Sequence, residues 1–161
     1  MVFFASFLIV ITLLAVAGDW MVPYAPDAQD IVRKLELPSA DHWFGTDALG
    51  RDLLARVIQG SQLSLLIGLA STVFAMLIGT VTGALAGFFG GWVDRLLTST
   101  TDFFSIFPSL LLAILLSLLL GRGAAGILLS IGIVAWVQHA RLVRAQVIQA
   151  RNFTYVESAR S

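Results

Sequence analysis

The sequence predicts an all-α protein, a polytopic bundle of transmembrane helices, and its composition and apolar patterning lead to this class. Hydrophobic residues make up 58% of the 161 residues and charged residues 12%, whereas roughly 45–50% apolar residues are usual in soluble proteins. The mean hydropathy is +0.89. The apolar residues are gathered in four long runs with most charges between or after them, so a bilayer is the expected environment.

Composition also narrows the function classes. Ten Lys plus Arg balance ten Asp plus Glu, so the chain has no excess of basic residues. A nucleic-acid partner is therefore not predicted. The absence of Cys excludes disulfides, thiolate metal sites and cysteine nucleophiles. His42 and His139 fall on opposite sides of the membrane in the topology predicted below, so each is expected to be interfacial rather than a metal ligand or triad member. The sequence has no Gly-Lys-Ser/Thr loop, so the chain is not expected to bind ATP by that route. No catalytic site, cofactor or metal is predicted.

Residues 1–18 are predicted to form the first transmembrane helix. The run from Val2 to Ala17 contains only Ser6 and Thr12 as polar residues, although it is slightly short for a span of about 20 residues. A cleavable signal peptide is the alternative. The run lacks a preceding Lys or Arg and is longer than a signal core of about 7–15 residues, which favours a retained helix.

Residues 19–60 are predicted to form an extramembrane loop, because this stretch holds seven acidic and four basic residues and three of the four prolines. Thr46 is the expected N-cap of a short helix that carries Asp47 in its first turn. Apolar residues recur at every fourth position on one face, namely Leu49, Leu53 and Val57. Two i,i+4 pairs with the acid before the base lie on other faces, namely Asp47–Arg51 and Asp52–Arg56. This pattern predicts an amphipathic helix along the membrane surface.

Residues 61–161 are predicted to begin the membrane core, with helices over about 61–89, 96–120 and 124–140. The first of these helices carries small side chains at regular four-residue spacing: Ser71, Ala75, Gly79, Gly83 and Gly87. Such a ridge lets a neighbouring helix approach closely, and packing replaces the hydrophobic drive between helices in lipid. It therefore predicts an interface with another transmembrane helix, the alternative being that glycines are simply frequent in membrane helices.

The helix over 96–120 contains two unusual residues. Pro108 removes a backbone hydrogen bond and clashes with the preceding turn, so a kink is expected near Phe104 to Pro108. Asp102 lies about two turns inside the membrane boundary, where an acid is costly. Pathway lining or an ion pair is one interpretation of Asp102, and a solvated position at the interface is the other.

From the end of the last predicted helix onward the sequence is basic. His139, Arg141, Arg144, Arg151 and Arg160 follow, with Glu157 as the only acid. Basic residues accumulate on the cytoplasmic side, so this end is expected inside, and counting back through four helices puts the acidic loop outside and the N-terminus inside.

Five segments carry a resemblance to a known family. They are His42 to Asp52, Ala86 to Asp94, Phe107 to Ile114, Ala140 to Arg144 and Tyr155 to Arg160. From Pro38 onward the chain resembles the permease subunits of dipeptide and oligopeptide ABC importers, and its GTD-x-x-GRD segment resembles the C-type subunit. The last segment is similar to the start of the EAA loop, which docks on the ATPase, with Ser158 where Ala is usual.

The resemblance implies a fold, partners and site residues. The type I permease fold has six transmembrane helices, of which about four are expected here, so the chain is expected to be incomplete and to end within the EAA loop. The implied partners are a B-type permease subunit, two ABC ATPase subunits, a periplasmic substrate-binding protein and the lipid of the inner membrane, with both termini cytoplasmic. The implied site residues are Tyr155, Glu157 and Ala159 for ATPase coupling, and Phe44, Gly45, Thr46, Asp47, Gly50, Arg51 and Asp52 in the periplasmic loop motif.

Several alternatives stay open. Family substrates include dipeptides, longer peptides, nickel complexes and glutathione, and peptide is the expected one. The loop motif either contacts the binding protein or braces the helices, and its capping and pairing favour bracing. A stand-alone channel or assembly factor that uses Asp102 is the alternative function. An intramembrane enzyme is disfavoured, because Asp94 and Asp102 lie roughly 12 Å apart along the helix axis.

Overall fold

The computed structural model describes residues 2–121 and 123–153. Within these residues it contains no β-strand and consists of α-helices with one short 3-10 helix. The helices are α1 (Val2–Met21), the 3-10 helix (Ile31–Arg33), α2 (Leu53–Phe89), α3 (Gly91–Ile106), α4 (Ser109–Leu120) and α5 (Ala124–Arg151). The predicted all-α class is therefore confirmed. The chain divides into two compact units, one up to Leu66 and the other from Ile67 onward.

Two of these helices, α2 and α5, are each long and apolar enough to cross a membrane. α3 and α4 pass the same test only as a pair, and they meet at an angle of 92°. In α1, Ile9–Gly18 forms a shorter apolar stretch. Length and composition therefore support two or three crossings among the described residues, where four apolar runs predicted four.

In the first unit, α1 packs against the first turns of α2. The side chain of Gln62 donates a hydrogen bond to the carbonyl oxygen of Ala15 at 2.8 Å, and Gly18 lies directly against Ile58. The side-chain amide of Gln62 in α2 thus links the two helices through a backbone carbonyl of α1.

The prediction of a separate surface helix starting at Thr46 is wrong. Thr46 and Asp52 instead form an isolated antiparallel bridge, and α2 begins at Leu53 and continues for 37 residues. The chain turns because Gly45 and Gly50 adopt φ values of 74° and 72°, which glycine reaches without steric cost. At a rise of about 1.5 Å per residue, α2 is longer than a hydrocarbon core of about 30 Å, so part of it extends beyond the bilayer.

The second unit has a small core between α2 and α5. Its buried members are Ala75, Trp136, Val137 and Ala140, with Ile78, Phe104 and Ala135 packed against them. Phe104 of α3 meets Trp136 of α5 edge to face, with ring centroids 5.9 Å apart. This geometry is favourable for two aromatic quadrupoles and joins α3 to the core.

The predicted single helix over 96–120 is broken into α3 and α4. Phe107 has an extended backbone (φ −85°, ψ 136°), as expected for a residue before proline, and Pro108 precedes the first residue of α4. The interruption is thus larger than the expected kink within one helix. The other boundaries also differ, since α3 already begins at Gly91 and α5 continues to Arg151.

Candidate functional site

Asp47 is the centre of the loop motif. Its Oδ1 accepts hydrogen bonds from the backbone N–H groups of Leu49 (2.8 Å) and Arg51 (3.1 Å). Its Oδ2 accepts from Nε of Arg51 at 2.7 Å and from a guanidinium nitrogen of Arg56 at 2.6 Å. Desolvation raises the pKa of the Asp47 carboxyl, but the backbone N–H groups and the two guanidinium groups together hold that pKa well below its usual range. Asp47 therefore stays ionised and fixes the turn.

Only one of the two predicted i,i+4 pairs is formed. Asp47 pairs with Arg51, although in a turn rather than on a helix, and Arg56 also binds Asp47. Asp52 instead pairs with the imidazole Nδ1 of His42 at 2.8 Å, and both side chains are buried. The other carboxylate oxygen of Asp52 accepts the N–H of Ala55 at 2.7 Å and so caps α2.

His42 is buried within the fold of the loop. Its exposed fraction is 5%, and its ring lies against that of Tyr24 with centroids 4.6 Å apart. Its Nε2 is 3.4 Å from a guanidinium nitrogen of Arg33. The only sequence signal for this role was the place of His42 at the start of the motif, ten residues before Asp52.

The remaining motif residues also stabilise the loop, with one exception. The hydroxyl of Thr46 donates to the carbonyl of Arg33 and accepts the N–H of Glu36 at 2.9 Å. A Cβ on Gly50 would overlap the backbone of Asp30. Phe44, by contrast, is 54% exposed. Most of the motif is thus engaged in the loop's own fold, while its aromatic residue faces outward.

The ridge of small residues on α2 lies against α5 of the same chain. Ala75 and Ser71 have exposed fractions of 0% and 2%. A Cβ on Gly79 would lie 2.6 Å from Cβ of His139, and one on Gly87 would lie 2.8 Å from Cβ of Val147. Gly83 faces the carbonyl of Ala140 in the same way. The backbones of α2 and α5 therefore approach as closely as they do because Gly79, Gly83 and Gly87 lack side chains.

Asp102 forms an ion pair with Arg141 of α5 at 2.8 Å, and the same guanidinium nitrogen donates to the hydroxyl of Ser105 at 2.8 Å. The carboxyl side chain is 63% exposed. Asp102 is therefore engaged in an ion pair, as one of its two interpretations expected. This contact gives no support to the alternative of a channel that uses Asp102 as a free acid.

A second ion pair between the same helices was not predicted. Arg144 binds both carboxylate oxygens of Asp94, with distances of 2.5 and 2.6 Å. Spacing contains a signal for both pairs, since the two acids are eight positions apart on α3 and the two arginines are three apart on α5, so each set shares a helix face. A cavity of about 280 Å³ lies beside the pairs, lined by Thr82, Gly83, Ala86, Leu97, Thr98, Thr101, Ala140, Arg141 and Arg144.

The expected ATPase-coupling residues Tyr155, Glu157 and Ala159 lie outside the described residues. The last described helix, α5, ends at Arg151, and Asn152 follows as its C-cap. The segment that contains the three residues therefore begins directly after α5 in the chain.

Comparison with known proteins identifies the family. Residues 79–161, just over half of the chain, match the family described as "Binding-protein-dependent transport system inner membrane component". The glutathione transport system permease protein of Pectobacterium atrosepticum is 39% identical over 160 residues, covering 98% of this chain and 53% of that protein. The dipeptide transport system permease protein of Bacillus subtilis is 36% identical over 154 residues, covering 96% of this chain and 48% of that protein.

A third relative agrees with these two. The probable D,D-dipeptide transport system permease protein of Escherichia coli is 38% identical over 157 residues, covering 98% of this chain and 53% of that protein. The chain thus spans about half the length of the relatives it matches. From the family match and from apolar helices long enough to cross a bilayer, this chain belongs to the binding-protein-dependent transport system inner membrane components and is a multi-pass membrane protein.

Proposed function

We propose that this chain is a permease subunit of an ABC importer and forms part of the translocation pathway for peptides, driven by ATP hydrolysis on separate subunits. The observation that carries the proposal is the similarity of at least 36% identity over nearly the whole chain to permeases named for glutathione and dipeptides. Glutathione and dipeptides are both short peptides. This shared chemistry favours a peptide over a nickel complex as the substrate.

The proposed partners are a B-type permease subunit, two ABC ATPase subunits and a periplasmic substrate-binding protein. The family description, which names binding-protein-dependent transport, supports the last of these. A permease needs no catalytic group of its own, because its helices only have to move between inward-open and outward-open arrangements. Tyr155, Glu157 and Ala159 are the proposed contacts with an ATPase subunit.

The proposed topology places both termini in the cytoplasm and the loop between α1 and α2 in the periplasm. The basic residues of α5 support it, since Arg141, Arg144 and Arg151 lie towards its C-terminal end and basic residues favour the cytoplasmic side. Acidic partners change this argument little, because the orientation depends on the count of Lys and Arg rather than on net charge. Within the proposed periplasmic loop, the engagement of Asp47 and Asp52 in internal contacts favours bracing of the helix ends.

Co-purification tests the proposed function. The chain is expressed within its complete subunit, together with the second permease and the ATPases, and ATPase activity is measured with and without binding protein. We expect a stable complex whose turnover is stimulated by the binding protein, and uptake of a labelled dipeptide in reconstituted vesicles. A subunit that inserts in the membrane but neither co-purifies with these partners nor supports uptake would contradict the proposal.

A matched pair of variants tests the coupling residues. Glu157→Ala is expected to weaken co-purification of the ATPases, because it removes an acid from the proposed contact. Glu36→Ala is the control, since it removes the chain's other glutamate from the loop after α1. Equal ATPase recovery in both variants would remove Glu157 from the proposed contact.

A further inference from the structure

Charged residues are scarce in the second unit, and most of them serve one purpose. Among the described residues from 67 to 153 they are Asp94, Arg95, Asp102, Arg141, Arg144 and Arg151. Four of these six form two ion pairs, and both pairs join α3 to α5. We refer to Asp94–Arg144 and Asp102–Arg141 as the α3–α5 ion pairs.

The first pair has the geometry of a rigid contact. Arg144 presents two nitrogens to the two oxygens of Asp94, and the hydroxyl of Thr98 donates to the same carboxylate at 3.1 Å. Both charged side chains are largely covered, with exposed fractions of 34% and 23%. A bidentate arginine–carboxylate pair restricts both distance and orientation, unlike a single point contact.

The second pair adds a separate point of attachment. Asp94 and Asp102 lie on the same face of α3, about 12 Å apart along its axis from the rise per residue. Together with the contact of Phe104 with Trp136, two ion pairs this far apart on α3 resist rotation as well as separation of the two helices.

The position of the pairs links them to the coupling segment. α5 is continuous from Ala124 to Arg151, and Arg144 lies seven residues before its end. A displacement applied just after Arg151 would therefore be carried along α5 to both arginines. α3 and α4 meet at an angle of 92° at the break formed by Phe107 and Pro108. Because the two are not one continuous helix, α4 does not fix the direction of α3.

We propose that the α3–α5 ion pairs make α3 and α5 one rigid body, through which movement of the ATPase-coupling segment reaches α3. This inference rests on the proposed function. The arginines and acids are positioning residues here, since they hold helices and need not touch substrate.

A set of charge variants tests the proposal in the assembled transporter. Asp94→Asn with Asp102→Asn removes both attachments, and transport per ATP hydrolysed is expected to fall about five- to tenfold, as for other couplings between sites. Arg95→Gln is the matched control, because Arg95 adjoins Asp94, is exposed and is not a member of either pair. The exchanged pair Asp94→Arg with Arg144→Asp is expected to couple better than Arg144→Asp alone. An unchanged ratio in the double Asn variant would overturn the proposal.

A distance measurement tests it without disturbing the pairs. The chain has no Cys, so spin labels can be placed through Thr100→Cys on α3 and Gln149→Cys on α5, both exposed positions. We expect the distance between these labels to change by less than about 2 Å between the nucleotide-free and ATP-bound transporter, since larger shifts mark helices that move independently. A larger change in the otherwise unaltered chain would overturn the rigid body while leaving the proposed function intact. Absence of any complex would overturn both.

Discussion

Replacing Gly83 by Leu tests the close approach of α2 and α5 most directly. A Cβ at this position would overlap the carbonyl oxygen of Ala140 and lie 3.0 Å from both the backbone nitrogen of Arg144 and Cβ of Val143. Two of these three neighbours are backbone atoms, which cannot turn aside as a flexible side chain can. The two helices must therefore separate, and overpacking of this kind costs about 1–3 kcal/mol.

The matched control is Gly68→Leu on the same helix, because nothing lies within 4 Å of a Cβ there. Both substitutions replace a helical glycine by the same residue, so their difference isolates packing from helix propensity. At roughly 2–4 °C per kcal/mol for a chain of this size, we expect Gly83→Leu to melt about 2–12 °C below the control. Fluorescence-detected thermal unfolding of the purified subunit in detergent would measure it. Equal melting temperatures would refute the close-packing argument.

Three further predictions concern the loop between α1 and α2, and hydrogen exchange of its backbone amides measures each of them. Asp52→Ala removes the N-cap of α2 and the partner of buried His42, so the first turn of α2 should exchange faster by a factor of about ten or more, and unchanged protection would contradict the capping role. Because the pKa of Asp47 is depressed in the folded loop, the ionised carboxylate stabilises the loop at pH values above the ordinary carboxyl pKa of about 3.9, and this stabilisation declines as the pH falls below that value. Asp47→Asn should remove this pH dependence of loop stability. The same pH profile in the variant and the unaltered chain would contradict the role of Asp47. Gly50→Ala should destabilise the loop by about 1–3 kcal/mol, because alanine is strained at φ 72° and its Cβ meets the backbone of Asp30, whereas Gly60→Ala on open helix surface should not.

Much of the membrane character could be predicted from the sequence, because it depends on residues close together in the chain. The apolar runs correspond to helices, with α2 and α5 long enough to cross a bilayer. The four-residue spacing of the small residues from Ser71 to Gly87 places them on one face of a helix, whichever helix packs against that face. Family membership likewise followed from short contiguous motifs, which can be read from the sequence without knowledge of the fold.

The tertiary structure alone decided the contacts between distant residues. Arg144 and Asp94 are 50 positions apart, and Arg141 and Asp102 are 39 apart. Local spacing places the two acids on one helix face and the two arginines on another, but it does not show that these faces meet or which acid pairs with which arginine. Thr46 is a residue type favoured at a helix N-cap and is followed by the acid Asp47, yet its hydroxyl forms hydrogen bonds with the backbone of Arg33 and Glu36 in an earlier part of the loop. Local propensity is a weak preference of well under about 1 kcal/mol per residue, and a network of buried hydrogen bonds and ion pairs outweighs it. The sequence alone therefore determined that this protein is helical, is suited to a membrane and belongs to a known family of transport-system inner membrane components, while the folded chain decided where α2 begins and which charges join α3 to α5.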